Sequence, residues 1–390
     1  MTGDMRRDML AGWEAWRLSR HSFVPAPRVS PARWRTMPSS EKASWDLARA
    51  ATHANLPLLG TPMSQAVDRL LAARIRQNAF KARPATRAGV MVSGGGYQGK
   101  TETVCEIAAA FEDSWRDLHR THPETVPGSR DLWAPVAYIQ TPVTAKPKST
   151  CKAILDFYGA PTQRMDLPEL IRQVAASLAD HGTKVLILDD ITRLRMHRAD
   201  DQDTLDLIRA FMSMHVTLVL VGVDIPGSGL MREGRGPAAA KNVNGWEPTQ
   251  TERRFDLVEL DRFRYDTPAQ ITAWTSHLAG IEEHLRLLKA RPGMLTDHTM
   301  PEYLYQRTGG VVGLLERLIE DGCSQAIATG AEDLSEALLD GLPLTLAGAG
   351  RDAAAGEIPA VPTRPGRRPS SGRRRNTVFD DHGPVTTDTA

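Results

Sequence analysis

A short apolar run, Val90-Met91-Val92, leads through Ser93 into Gly94-Gly95-Gly96-Tyr97-Gln98-Gly99-Lys100-Thr101, and an amphipathic stretch follows. Gly-x-x-x-x-Gly-Lys-Thr between a strand and a helix is the context that a phosphate-binding loop requires. The glycines permit a tight turn and bring backbone N–H groups onto phosphate oxygens. Lys100 is placed to pair with the β- and γ-phosphates, and the Thr101 hydroxyl to bind Mg²⁺. Val104, Ile107, Ala108 and Phe111 recur at helical spacing, so a helix opens at the loop with its N-terminus toward the anion. Residues Gly94, Gly95, Gly96, Tyr97, Gln98, Gly99, Lys100, Thr101 and Glu102 are therefore the candidate nucleotide-binding set, with ATP and Mg²⁺ as the expected ligands.

A partner motif lies about 90 residues on, where Val185-Leu186-Ile187-Leu188 ends in Asp189-Asp190. Carboxylates closing an apolar strand belong at the C-terminal edge of a parallel sheet, beside the phosphate loop. Asp189 is expected to hold the Mg²⁺ shell. Asp190 stands where many ATPases place a glutamate that orients water. It is one methylene shorter, so hydrolysis is expected to be slow. Phosphoryl transfer depends on positioning and charge neutralisation, which calls for a cationic finger. Arg253 and Arg254 are the candidates, acting from a neighbouring subunit; the alternative is a plain surface pair. Asp224, after the fourth strand, either senses the γ-phosphate or caps the following loop.

The rest of the chain reads as alternating strands and helices. Strands are expected near 88–92, 135–139, 184–188, 216–221 and 255–260. Thr61-Pro62 starts the helix lined by Met63, Val67, Leu70, Leu71 and Ile75. Further helices carry Ile154 and Leu155 (closed by Gly159), Leu170 to Leu178, and about 202–214. This alternation predicts an α/β fold, a three-layer parallel sheet covered by helices on both faces. From 267 the pattern is helical only, at about 268–290, 299–307, 310–329 and 332–341, which predicts a helical lid. The implied domains are a Trp/Arg-rich arm (1–57), the nucleotide-binding domain (58–262), the lid (263–345) and a disordered basic tail (346–390). The arm is either an interaction device or a set of tryptophans packed on the main domain, and the usual burial of Trp favours packing.

Charge is uneven. Residues 1–90 hold 15 Lys/Arg against 6 Asp/Glu, within a chain of net charge +1. The surplus suits nucleic acid, or it is a solvated helical surface. Three scattered cysteines, Cys105, Cys151 and Cys323, form no metal spacing and fit a reducing compartment. No apolar run is long enough for a membrane span, and no signal segment opens the chain. A soluble, cytoplasmic protein with no membrane role is expected.

The phosphate loop, Asp189-Asp190, Arg253-Arg254-Phe255 and the helical lid together resemble an AAA+ ATPase. More narrowly, the chain resembles the TniB/TnsC group of transposition regulators, related to Mu B. The supporting stretches are 56–62, 138–142, 148–155, 186–191 and 308–315, within a similarity over about 55–345. The resemblance implies ATP-dependent assembly of a homo-oligomeric ring or filament on double-stranded DNA, and recruitment and activation of a transposase. It implies that the loop after the second strand faces DNA. Thr144, Lys146, Lys148 and Lys152 would then hold phosphate oxygens without reading sequence. It places adenine between 57–62 and the lid. There are departures from the pattern: Gly313 occupies the position of the usual lid arginine, with the nearest arginine, Arg317, a turn later, and Asp190 in place of Glu and the acidic Asp224 add to the expectation of a weak ATPase. The competing readings are a helicase-loader or replication-initiation ATPase, a nucleotide-dependent signalling or defence switch acting on proteins, and a DNA-coating protein with negligible hydrolysis. The initiator reading lacks the DNA-reading module expected after 345.

Overall fold

Five short apolar runs form the strands β1 (Gly89–Ser93), β2 (Val136–Gln140), β3 (Val185–Asp189), β4 (Thr217–Gly222) and β5 (Phe255–Glu259). The computed structural model describes residues 6–83, 85–124, 133–143, 146–193, 201–228 and 252–344. The predicted tail, Thr144 and residues 229–251 lie outside them. The strands pair in the order β2-β3-β4-β1-β5, and every pair is parallel. Strands β1, β3 and β4 are buried along their whole length, as expected of strands covered on both faces. Edge strand β5 alternates instead, with Phe255 buried and Leu257 exposed. Because all strands run one way, the loops after β1 and β3 open on the same edge.

Helices cover the sheet: α4 (Pro62–Ala79), α5 (Lys100–Thr121), α6 (Pro147–Phe157), α7 (Leu167–Asp180) and α8 (Asp201–Met212). Helix α4 starts as the sequence predicts. Thr61 and Ser64 cap it reciprocally and Pro62 opens it. Val67, Leu71 and Ile75 then face the sheet and join its core. A second core, built on Phe263, Trp274, Leu278, Leu315 and Ile319, holds together α9 (Pro268–His284), α10 (Met300–Thr308), α11 (Val312–Thr329) and α12 (Glu336–Asp340). Helix α9 stops six residues before the predicted 290. Leu285 turns extended, and the next N–H, that of Arg286, donates to His53 Nε2 at 2.9 Å. That tertiary bond takes the place of another helical turn. The last helix is also shorter than predicted, because Ser335 caps it late, bonding to Leu338 N.

The arm forms α1 (Leu10–Ser19), α2 (Pro31–Thr36) and α3 (Ser39–His53). Its arginines find carboxylates within the chain. Arg7 forks onto Glu102 at 2.6 and 2.9 Å, Arg17 pairs with Glu112 and Asp113, and Arg20 with Glu106 and Asp113. All four carboxylates lie on α5, so part of the basic surplus is neutralised internally. Trp13 is buried and donates to Glu112 at 2.8 Å. Helix α3 reaches the second core, where Arg49 bonds Glu332.

Two buried histidines set an acid limit. Burial pushes His277 down to about 4. His53 also falls to about 4, through burial first and then the charges of Arg49 and Arg286. Both stay neutral in the folded chain, whereas the unfolded chain takes up protons near 6.5. Stability is therefore full above 6.5 and falls as pH drops toward 4, by up to roughly 3 kcal/mol per histidine. Urea midpoints measured from pH 7 to 4 are expected to drop, and His277→Leu to flatten the drop. An unchanged slope in that variant would remove His277 from the account.

Candidate functional site

The loop between β1 and α5 is a backbone cradle. Tyr97 and Gly99 take left-handed conformations, φ 56° and 75°, which re-aim successive N–H groups. A Cβ on Gly94 would sit 2.2 Å from the Leu260 carbonyl oxygen, so no side chain fits there. The Gln98 side chain closes the loop by accepting from Gly95 N at 2.8 Å. Lys100 lies in the first turn of α5 and donates to the Gly95 carbonyl. Burial pushes its pKa down, while Asp189 and Asp190 pull it up. A bare backbone arc, a helix N-terminus and one part-buried ammonium fit a chain of phosphates.

Asp189 is held from three sides. Its Oδ2 accepts from Thr101 Oγ1 at 2.7 Å and from Tyr138 OH at 2.8 Å, and its Oδ1 from Asp190 N at 2.9 Å. No group of three His, Cys, Asp or Glu side chains that could cage a metal occurs among the described residues. Mg²⁺ needs no such cage, since it is commonly held by one carboxylate, a hydroxyl and substrate phosphates. The Thr101–Asp189 pair fits that role. Tyr138 falls within the 138–142 stretch, but no site role is read for it from sequence; the one signal is a phenol between the buried Ala137 and Ile139.

Asp190 is differently placed. It adopts φ 53°, and its carboxylate pairs with Arg193 at 2.9 Å and meets Gln140 Nε2 at 3.4 Å. To orient water it must share or leave that half-exposed ion pair. Asp224 accepts from Gly227 N at 3.0 Å and so caps its loop. It also lines a cavity of about 300 Å³ beside Gly94, together with Arg262 and Arg264.

Arg253 and Arg254 are exposed and immediately precede Phe255, which is in register with Gly89 at the start of β1. The phosphate loop leaves the other end of β1, after Ser93. A strand length of roughly 13 Å separates the two. These arginines therefore stand at the sheet edge opposite their own loop. A finger role is open to them only toward another subunit.

In the lid, Gly313 N donates to the Tyr97 carbonyl at 2.8 Å, and a Cβ on Gly313 would meet that oxygen at 2.7 Å. The glycine is thus explained by close docking of α11 on the phosphate loop. Arg317 is exposed and pairs with Asp321. Glu316, missed from sequence, is raised in pKa by burial and by Glu102 and Glu320. Leu59, in the 57–62 segment, packs on the lid beside Gly280. Lys146 and Lys148 are exposed at the start of α6 and Lys152 is half-buried a turn later. The Glu102 of the candidate set is tied to Arg7, whose guanidinium lies over the Trp16 and Tyr138 rings at 5.0 and 5.6 Å. The arm thereby touches the residue that holds Asp189.

The profile of the family described as Bacterial TniB protein matches residues 64–230. No curated protein matches the sequence. Among solved structures, the Aeropyrum pernix ORC1 protein in complex with DNA covers 75% of this chain and 68% of its own, at 13% identity and a TM-score of 0.53. Cdc6p from Pyrobaculum aerophilum covers 75% and 74%, at 14% identity and a TM-score of 0.46. At 13% identity the likeness to the ORC1 protein is one of fold.

Proposed function

We propose that this chain is an AAA+ ATPase of the TniB type that binds ATP–Mg²⁺ at the 94–101 loop, assembles on duplex DNA and recruits a transposase. The observation that carries the nucleotide half is the Thr101–Asp189 contact across the cradle, 2.7 Å between residues 88 apart. Bound Mg²⁺ would neutralise phosphate charge. Lys100 would hold the phosphate oxygens and Asp189 the metal shell, with Tyr138 fixing the carboxylate. Arg253 and Arg254 support an oligomer, because only a neighbour's phosphates are open to them. The exposed lysines of α6 support DNA contact, as does the fold shared with an ORC1 protein that binds DNA. The family match over 64–230 supports the transposition setting.

The test is binding to random-sequence duplex DNA with and without ATP–Mg²⁺. Binding is expected to tighten with nucleotide. The double variant Lys146→Glu/Lys148→Glu is expected to weaken it for all sequences alike, and to lower the slope of log affinity against log salt by about 2. Equal binding with and without nucleotide would sink the reading. The Asp190–Arg193 pair favours a second reading, in which the protein coats DNA and turns over little ATP. Single-turnover hydrolysis on DNA separates the two.

A further inference from the structure

The edge of the sheet opposite the phosphate loop carries a cavity of about 230 Å³. Lys81, Arg83, Arg87, Lys184 and His215 line it together with Asn78, and among the described residues no carboxylate does. Three of these sit just before strands: Arg87 before β1, Lys184 before β3 and His215 before β4. Parallel strands bring those starts together, so residues about a hundred apart converge on one spot.

Arg87 is only 4% exposed. Two of its N–H groups donate to carbonyls, of Lys81 at 2.7 Å and Arg83 at 3.2 Å, while its buried Nε has no partner among the described residues. Buried charges are normally paired with opposite charge. None of the four lining Lys and Arg side chains has an ion pair among the described residues. Carbonyls beyond the end of α4 explain why one cation settles here. They do not explain Lys184. Its ammonium lies 5.8 Å from the Trp115 ring and has no hydrogen bond among the described residues. Burial and the like charge of Arg87 both push its pKa down. Two cations lining one cavity several waters wide (~30 Å³ per water) are the complement of a multivalent anion.

We propose that this cavity is a second anion site, binding a phosphate group between the Arg87 guanidinium, the Lys184 ammonium and His215. It is separate from the phosphate loop and does not rest on the transposition reading. The group is either free phosphate or the terminal phosphate of a nucleic acid strand.

The test uses full-length Lys100→Ala protein, so that the phosphate loop does not report. Inorganic phosphate and a 5′-phosphorylated oligonucleotide are titrated calorimetrically, with the unphosphorylated oligonucleotide as reference. Saturable binding is expected, weakened at least tenfold by Lys184→Met. Lys184 is part-exposed, so that variant keeps the fold where Arg87→Met could lose it. Lys184-dependent binding of phosphate alone identifies a free anion; tighter binding of the phosphorylated strand identifies a nucleic acid end. Absence of saturable binding of either, or binding that Lys184→Met leaves unchanged, overturns the proposal.

Discussion

Lys100→Ala is expected to cut ATP turnover by roughly a thousandfold and to weaken ATP–Mg²⁺ binding, while leaving the fold as stable as before. Removing one preorganised donor from a transition-state site costs about 10²–10³ in rate, and a charged donor lies at the upper end. The lysine is positioned before any ligand arrives, since α5 carries it and the Gly95 carbonyl holds its amino group. Its contribution to folding is small or negative, because burial already pushes its pKa below the ordinary value. Function and stability should therefore separate. Turnover and nucleotide affinity would be measured beside a urea titration. A variant that keeps turnover within tenfold of wild type would show that Lys100 is not the phosphate ligand. Lys100→Arg is not a safe control, since a planar fork cannot replace a point charge in a closed loop.

Much of this site is legible in the chain because its parts are local. The phosphate loop is eight consecutive residues, and each strand run falls within about one residue of the observed strand. What periodicity cannot carry is the partner of a charge. Arg7 and Glu102 are 95 residues apart, and nothing in either neighbourhood marks them as a pair. Composition alone leaves the basic surplus of the first 90 residues open between nucleic acid and a solvated face. The structure shows a third outcome, in which several arginines lie on the acidic side of α5. Tyr138 was missed for the same reason, as its bond to Asp189 crosses from β2 to β3. The position of Arg253 and Arg254 follows from strand register alone: placing Phe255 beside Gly89 sends both arginines to the far edge of the sheet. The overlong α9 is a different failure. Local pattern favours continuing the helix, and a tertiary bond from Arg286 to His53 ends it.

The largest stability effect is expected where the arm meets the lid. Arg49 is 1% exposed and forks onto Glu332 at 2.6 and 2.8 Å, with a further bond to Asp46. The Glu332 carboxylate also accepts from Leu288 N at 2.9 Å. Arg49→Met would leave that carboxylate buried with one backbone donor, at a cost of about 3–5 kcal/mol. The gross strength of the pair is not what such a variant measures; it measures the penalty on the abandoned partner. The companion Arg49→Met/Glu332→Gln should thus recover more than half of the loss. Glutamine removes the charge and still offers Leu288 an oxygen. Urea unfolding of the two single variants and the double closes a cycle. Additive losses would show that the pair does not couple arm to lid. Strong coupling would mean that the arm, fixed to α5 through Glu102 and to the lid through Glu332, ties the two cores on either side of the phosphate loop.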